Sequence, residues 1–308
     1  MTQRAIRDGA WPILLTAFDG DNRLDLAAIG ALLDFYRDLK LPGVLALGQA
    51  SEMLLLDHDE RLRVAEFVAR HPRGGMAAAT VGNYGDTLAA QADCLQRIYD
   101  LGTDVAVVAL SLLPSSRDLA EQLLELASLV GPEARLGIYE IPEPEHRLLS
   151  PDEVAQVAAS ERFHFMKDTC RQIDAFSAKV RAAAGTNLKL YQANLAVLPA
   201  SMDAGGAGFC GWLPIVAPEL SVQVCDLSLP ADLRLRAHDK LMAFNEVIIA
   251  SGFPASAKYL LGLRGVSIQP NSRRDTAAPF FAQGPAALDE FVAREDPFRA
   301  LELAGNPG

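Results

Sequence analysis

The sequence is short of basic residues, of cysteine and of long apolar runs, and each shortage closes off a class of function. Lys and Arg total 28 against 39 Asp and Glu, a net charge of −11. A phosphate backbone is repelled by such a chain, so nucleic-acid binding is disfavoured. Small anionic ligands are not excluded, because local donors override the overall field. The four cysteines, Cys94, Cys170, Cys210 and Cys225, form no Cys-x-x-Cys pair and are too sparse for a disulfide scaffold, which fits a reducing compartment. No stretch approaches the roughly 20 apolar residues of a membrane span. The segment from Met1 to Phe18 lacks the basic start, apolar run and small-residue cleavage site of a secretory signal. The expectation is a cytoplasmic protein that engages neither nucleic acid nor membrane. The five histidines, His58, His71, His146, His164 and His238, show no close metal-ligand spacing, so no metal site is expected.

What is present is alternation. Short apolar runs at Trp11–Thr16, Gly43–Leu47, Met76–Val81, Asp104–Leu110, Arg135–Ile141, Phe163–Lys167, Leu188–Tyr191 and Gly208–Trp212 read as eight strands. Helical patterns at Asp25–Lys40, Asp57–His71, Asp86–Leu101, Arg117–Val130, Ser150–Ser160, Gln172–Ala184, Asn194–Asp203 and from Pro218 separate or follow them. Asp57 with Glu60, and Ser150 with Pro151 and Glu153, carry helix-start signals. Eight strand–helix units imply a parallel sheet, and eight is the number that closes a (β/α)8 TIM barrel. From about Leu229 the alternation stops, and Ala231–Ser251, Pro254–Leu263 and Thr276–Leu303 read as helices. The expected division is a barrel with the active site over residues 1–228 and a small C-terminal helical region over 229–308.

Barrel active sites lie where the strands end. That rule selects Thr16, the segment Gly48-Gln49-Ala50-Ser51-Glu52, Tyr139 and Lys167. Lys167 ends the apolar run Phe-His-Phe-Met-Lys. Burying an ammonium is costly unless it is paired or neutralised, so a lysine there is a candidate Schiff-base nucleophile. The alternative is a salt bridge to the adjacent Asp168. Tyr139 ends the preceding strand and is a candidate proton shuttle; the alternative is a core aromatic. The turn started by Gly48 offers backbone N–H groups to a carboxylate, or is a plain strand–helix turn. Gly206 to Gly211 satisfies Gly-x-Gly-x-x-Gly but lies late in the chain and opens no helix, so it is discounted as a dinucleotide site.

Taken together, these stretches resemble the dihydrodipicolinate synthase and N-acetylneuraminate lyase superfamily, from about Trp11 to about Arg264. Thr16-Ala-Phe18 resembles the family's Thr-Pro-Phe, and Gly48-Gln-Ala-Ser-Glu52 its Gly-Thr-Thr-Gly-Glu. Tyr139-Glu-Ile-Pro142 resembles Tyr-Asn-Ile/Val-Pro, and Met166-Lys-Asp-Thr169 the Ile-Lys-Asp/Glu lysine motif. Gly205-Gly-Ala-Gly208 matches a glycine-rich eighth strand. Phe253-Pro-Ala-Ser-Ala-Lys258 resembles Asn-Pro-x-x-x-Lys.

The resemblance implies a Schiff-base lyase, an aldolase or dehydratase without metal or organic cofactor, acting on pyruvate or another 2-oxo acid such as a 2-keto-3-deoxy sugar acid. Lys167 would form the imine and Tyr139 would relay the proton. Thr16, Gly48, Gln49, Ala50, Ser51, Gly208 and Cys210 would bind the substrate. A homotetramer is implied as well.

Three departures bear on the substrate. Gln49 and Ala50 replace two threonines, Leu112-Leu113 replaces a Tyr-Tyr pair, and Pro144 stands where dihydrodipicolinate synthases carry a carboxylate-binding arginine, with Arg147 near but out of register. These argue against dihydrodipicolinate synthase proper, the close alternative. The alternative from another class is a catalytically weak barrel that binds a 2-oxo acid as a sensor or partner subunit.

Overall fold

The computed structural model describes residues 3–114 and 117–302. Its strands are β1 (Gly9–Ala10), β2 (Gly43–Ala46), β3 (Ala77–Val81), β4 (Val105–Ala109), β5 (Leu136–Tyr139), β6 (Phe163–Asp168), β7 (Lys189–Gln192) and β8 (Gly208–Phe209). They pair in parallel in the order β1-β8-β7-β6-β5-β4-β3-β2. The ring closes between the chain after β1 and β2: Ile13 bridges Leu45, the Leu14 N–H donates to the Leu45 carbonyl at 2.8 Å, and the Leu45 N–H donates to the Pro12 carbonyl at 3.0 Å. This is the expected (β/α)8 barrel. Strands β2, β3 and β4 are buried at every position, as strands walled on both faces must be.

The helices between the strands are α1 (Leu26–Asp38), α2 (His58–Arg70), α3 (Leu88–Asp100), α4 (Leu119–Leu129), α5 (Pro151–Ala159), α6 (Ile173–Ala182) and α7 (Leu198–Asp203). The short α8 (Leu213–Val216) and α9 (Pro218–Cys225) follow β8. Asp25, Asp57, Thr87, Asp118 and Ser150 each cap a helix by accepting the N–H three residues on, a contact worth about 1 kcal/mol apiece. The boxes predicted at Asp57/Glu60 and Ser150/Glu153 are both formed. The C-terminal region folds as α10 (Ala231–Ala250), α11 (Ala255–Leu263), α12 (Ala278–Gln283) and α13 (Ala286–Glu295). None of the described helices is long and apolar enough to cross a membrane.

Three sequence expectations need correction. The first ladder is Gly9–Ala10 rather than Trp11–Thr16. Pro12 has no N–H to donate, so the buried stretch beyond it runs with a single bridge. The eighth ladder stops at Phe209, short of Trp212. The last helix, expected over Thr276–Leu303, is two helices broken at Gly284, whose φ of 72° only glycine adopts readily, and at Pro285; Leu303 lies outside the described residues.

Trp11, Phe165 and Tyr191 fill the barrel interior, with ring centroids 4.8–5.4 Å apart. The Trp11 indole N–H and the Tyr191 hydroxyl both donate to the Arg7 carbonyl, at 3.0 and 2.9 Å. On Gly208 the sequence expectation of substrate contact gives way to a structural role. A Cβ there would lie 1.9 Å from the Gly9 carbonyl oxygen, so its hydrogen side chain is what lets β8 close on β1.

Candidate active site

Strands β5 and β6 run in register, with Tyr139 opposite Lys167. Both side chains point into the barrel mouth, and the Lys167 ammonium sits 4.3 Å from the centre of the Tyr139 ring, within cation–π range. Lys167 is 3% exposed, and no acidic side chain among the described residues pairs with it. The salt bridge to Asp168 does not form, because successive side chains on a strand face opposite sides. Asp168 turns outward and pairs with Lys179 of α6 at 2.7 Å. A cavity of about 630 Å³ opens above the two residues at the C-terminal ends of the strands. Lys167, Tyr139, Gln49 and Ala50 line it.

The turn after β2 is built from the hydroxyls behind it. The Ser51 hydroxyl accepts the Gly48 N–H at 3.0 Å and donates to the Leu14 carbonyl at 2.6 Å. The Thr16 hydroxyl donates to the Ser51 carbonyl at 2.6 Å. The N–H groups of Ser51 and Glu52 close the turn on Gly48 and Gln49. Among the described residues, only the Gln49 and Ala50 N–H groups of this turn are left without an acceptor. Thr16, Gly48 and Ser51, expected to contact substrate, do not line the cavity and instead shape the turn that presents Gln49 and Ala50. Glu52 anchors the turn from below in a left-handed conformation (φ 62°). Its carboxylate accepts from Lys258 of α11 at 2.9 Å, from the Ser272 hydroxyl at 3.0 Å and from the Arg273 N–H at 2.6 Å. Burial holds the Lys258 ammonium below its ordinary range even beside Glu52.

Cys210 is fully buried outside the cavity lining, where its N–H donates to the Gln192 carbonyl at 2.8 Å. Burial pushes its thiol up to about 11, opposed by the nearby Lys167 charge. It packs beside Lys167 rather than lining the cavity. Leu112 and Leu113 do not reach the cavity. Arg147 is spent on the loop after β4, donating to the Leu113 carbonyl at 2.9 Å.

Sequence reasoning missed several residues that face the cavity. Thr169 and His146 are joined at 2.7 Å. The Thr169 hydroxyl has one hydrogen, which it gives to the Glu140 carbonyl at 2.6 Å. The His146 Nε2 is therefore the donor, and its Nδ1 carries the lone pair. Burial, with Arg171 and Lys179 nearby, lowers the His146 pKa. Arg274 holds both Glu143 carboxylate oxygens at 3.1 Å and the Gln49 carbonyl at 3.3 Å. The motif Met-Lys-Asp-Thr contained Thr169, but nothing local marked Arg274.

Behind the strand ends lies a buried charge cluster. Lys179 donates to Glu140 at 2.6 Å and to Asp168 at 2.7 Å, and Glu140 also accepts the N–H groups of Leu149 and Thr169. The donors favour ionised Glu140, but burial and the neighbouring Asp168 outweigh them and push its carboxyl up to about 7. An acid whose pKa is raised by folding stabilises the fold below its unfolded value and loses that contribution as pH rises through the folded value. Unfolding midpoints should therefore fall between roughly pH 5 and 8, and Glu140→Gln should flatten the slope. Parallel profiles for the two proteins in urea titrations would contradict this.

Among the described residues no three His, Cys, Asp or Glu side chains are grouped to hold a metal ion. The sequence profile of the dihydrodipicolinate synthetase family matches residues 7–280. A 4-hydroxy-tetrahydrodipicolinate synthase of Bradyrhizobium diazoefficiens is 24% identical over 83% of this chain and 86% of its own length. Among solved structures, YagE, a prophage protein of the dihydrodipicolinic acid synthase family from E. coli K12 in complex with pyruvate, superposes with a TM-score of 0.81 at 20% identity, over 93% of this chain and 99% of its own. CdNal from Clostridium difficile in complex with mannosamine superposes with a TM-score of 0.79 at 17% identity, over 93% of this chain and 98% of its own. The barrel and the profile match along nearly its whole length agree: this chain belongs to the dihydrodipicolinate synthetase family and is an enzyme of its lyase class.

Proposed function

We propose that the protein is a Schiff-base lyase, an aldolase or dehydratase, that takes pyruvate or another 2-oxo acid. The observation that carries this is the facing pair of Lys167 and Tyr139 beneath a cavity whose turn offers two open N–H groups. The substrate carboxylate sits on the Gln49 and Ala50 N–H groups. Lys167 gives up an ammonium proton to water and attacks the C2 ketone, and the proton returns to the carbinolamine hydroxyl as it leaves as water, giving the iminium. In the cleavage (retro-aldol) direction the iminium draws in the electron pair of the C3–C4 bond, and the C4 hydroxyl proton leaves to a base as the aldehyde departs. Tyr139 then supplies a proton to C3 of the enamine, and hydrolysis frees pyruvate and Lys167. In a dehydratase the iminium instead lets a base take the C3 proton, and the electron pair of the resulting enamine expels the C4 hydroxyl, which leaves as water with that proton. Neither route calls for a metal or an organic cofactor. We further propose that residues 1–228 and 229–308 are two structural parts sharing this one site, since α10 and Arg274 reach the cavity.

The experiment is borohydride trapping across a panel of 2-oxo acids, 2-keto-3-deoxy sugar acids among them, with mass spectrometry of the adduct. A trapped adduct at Lys167 with release of an aldehyde or water supports the reading. The absence of any adduct refutes it.

The second reading, dihydrodipicolinate synthase proper, has a namesake among the relatives. Pro144 and the committed Arg147 leave its distal carboxylate without the expected arginine, so little condensation of pyruvate with aspartate semialdehyde should occur. Turnover of the usual enzymatic order, roughly 1–1000 per second, would reverse this ranking. The binding-only reading draws on the absent hydroxyls at Gln49 and Ala50. The homotetramer remains part of the proposal, and light scattering that shows only a 33.1 kDa monomer at micromolar concentration would refute it.

A further inference from the structure

The cavity is much larger than pyruvate requires; at about 630 Å³ it is the size of a drug-like ligand site. Its charge is one-sided. The chain carries 39 Asp and Glu against 28 Lys and Arg. Yet no Asp or Glu is among the residues lining the cavity, while Lys167, Arg171 and Arg274 are. Arg274 is neutralised by both carboxylate oxygens of Glu143 at 3.1 Å. Lys167 and Arg171 have no acidic partner among the described residues. A cleft lined by one sign of charge between low-dielectric walls concentrates ligands of the opposite sign, here against the field of the chain as a whole.

Two free cations call for two anions. The carboxylate of the 2-oxo acid, on the Gln49 and Ala50 N–H groups, matches the charge at Lys167. Arg171 is left over. It lies on the loop after β6, whereas the Gln49 turn follows β2. In the closed ring β1-β8-β7-β6-β5-β4-β3-β2, strands β2 and β6 stand half a turn apart. A substrate anchored by C1 at the β2 turn and by C2 at Lys167 of β6 therefore runs across the mouth toward the side where Arg171 lies. Burial and then the Arg171 charge lower the His146 pKa, so these two side chains are neighbours there. The Asn245 amide, on the cavity face of α10 between Met242 and Ile249, offers a donor and an acceptor, and His146 Nδ1 an acceptor. Neither is bonded to a described residue, so both are open to hydroxyls along the substrate. An amino group at the far end would meet Arg171 and no carboxylate. Arg171 thus does not restore aspartate semialdehyde as a substrate, since its amine adjoins its carboxylate.

We propose that the 2-oxo acid taken by this site carries a second anionic group at its far end, a carboxylate or a phosphate ester, paired with the Arg171 guanidinium. This deepens the Schiff-base reading and rests on it for the placement of C2 at Lys167.

The full-length protein is titrated with three acids that differ only at C6: 2-keto-3-deoxygluconate, 2-keto-3-deoxyglucarate and 2-keto-3-deoxy-6-phosphogluconate. Half-saturation of borohydride trapping is measured for each. One of the two doubly acidic compounds should half-saturate at a concentration lower than the gluconate by on the order of tenfold, the worth of charge-assisted hydrogen bonds at an open mouth. Which of them binds tighter assigns the group as carboxylate or phosphate. The advantage should shrink between about 0.01 M and about 1 M salt, as the screening length falls from about 30 to about 3 Å. Arg171→Gln, at an exposed position that tolerates substitution, should bring the ratio near one, and Arg171→Lys should keep part of it. Arg181→Gln removes the same charge from the last turn of α6, outside the cavity lining, and should leave the ratio unchanged. Equal or tighter trapping of the gluconate overturns the proposal, as does a ratio that survives Arg171→Gln or falls equally in Arg181→Gln. If no acid, pyruvate included, is trapped, the Schiff-base reading fails separately. Calorimetry of the same acids then decides the second anion: a preference for a doubly acidic compound that Arg171→Gln removes sustains it, and any other result rejects it.

Discussion

Lys167→Ala protein treated with pyruvate and borohydride should carry no stable adduct, while the wild type carries one per chain. The other buried lysines are poor substitutes. Lys179 is clamped between Glu140 and Asp168, and Lys258 is held by Glu52, so each ammonium is paired and neither lines the cavity. Turnover of a substrate found in the panel should fall on the order of 10⁴-fold or more, as when a covalent nucleophile is removed. The variant should nevertheless fold. Truncating one partner of a buried ion pair costs about 3–5 kcal/mol, but Lys167 has no acidic partner to strand. Asp168, its chain neighbour, is served by Lys179 on the other face of the sheet. An equal adduct on Lys167→Ala would remove this residue from the mechanism.

Tyr139→Phe should slow turnover by about 100- to 10,000-fold, the range of a general acid–base group, while pyruvate remains trappable at Lys167. Amine attack on a bound ketone proceeds with water's help, whereas protonation of the enamine carbon needs a placed donor. The ring that covers the Lys167 ammonium is retained in phenylalanine, and the Tyr139 hydroxyl makes no hydrogen bond to a described residue, so packing changes little. No neighbouring hydroxyl can stand in. Those of Thr16 and Ser51 are buried and already donate to carbonyls, and Gln49 and Ala50 carry none. A folded variant that traps pyruvate and turns over poorly is the signature of a catalytic tyrosine. A barrel that only binds 2-oxo acids has no turnover to lose. Wild-type rates in Tyr139→Phe would exclude the tyrosine and leave His146, with its free Nδ1, as the next proton acceptor to substitute.

The sequence by itself determined the barrel and the two residues at its centre. Strand and helix periodicities are local properties, since a run such as Val105–Ala109 has no polar face and a pair such as Asp57 and Glu60 caps whatever helix follows. The end of an apolar strand in a barrel is the mouth of the site, so Lys167 and Tyr139 were legible from position. The same local logic failed where long-range neighbours decide. Asp168 looked like the partner of Lys167, but strand alternation sends it outward to a lysine eleven residues away on α6. Thr16, Ser51 and Gly208 looked like contacts to substrate, but tertiary closure spends the first two on carbonyls and the third on the approach of β1. Met242, Ile249, Phe253 and Arg274, which line the cavity, come from a helical region whose sequence is amphipathic in an ordinary way. Which of its faces meets the barrel mouth depends on how α10 packs against α9 and α13, a choice set by shape complementarity over the whole interface and encoded at no single residue.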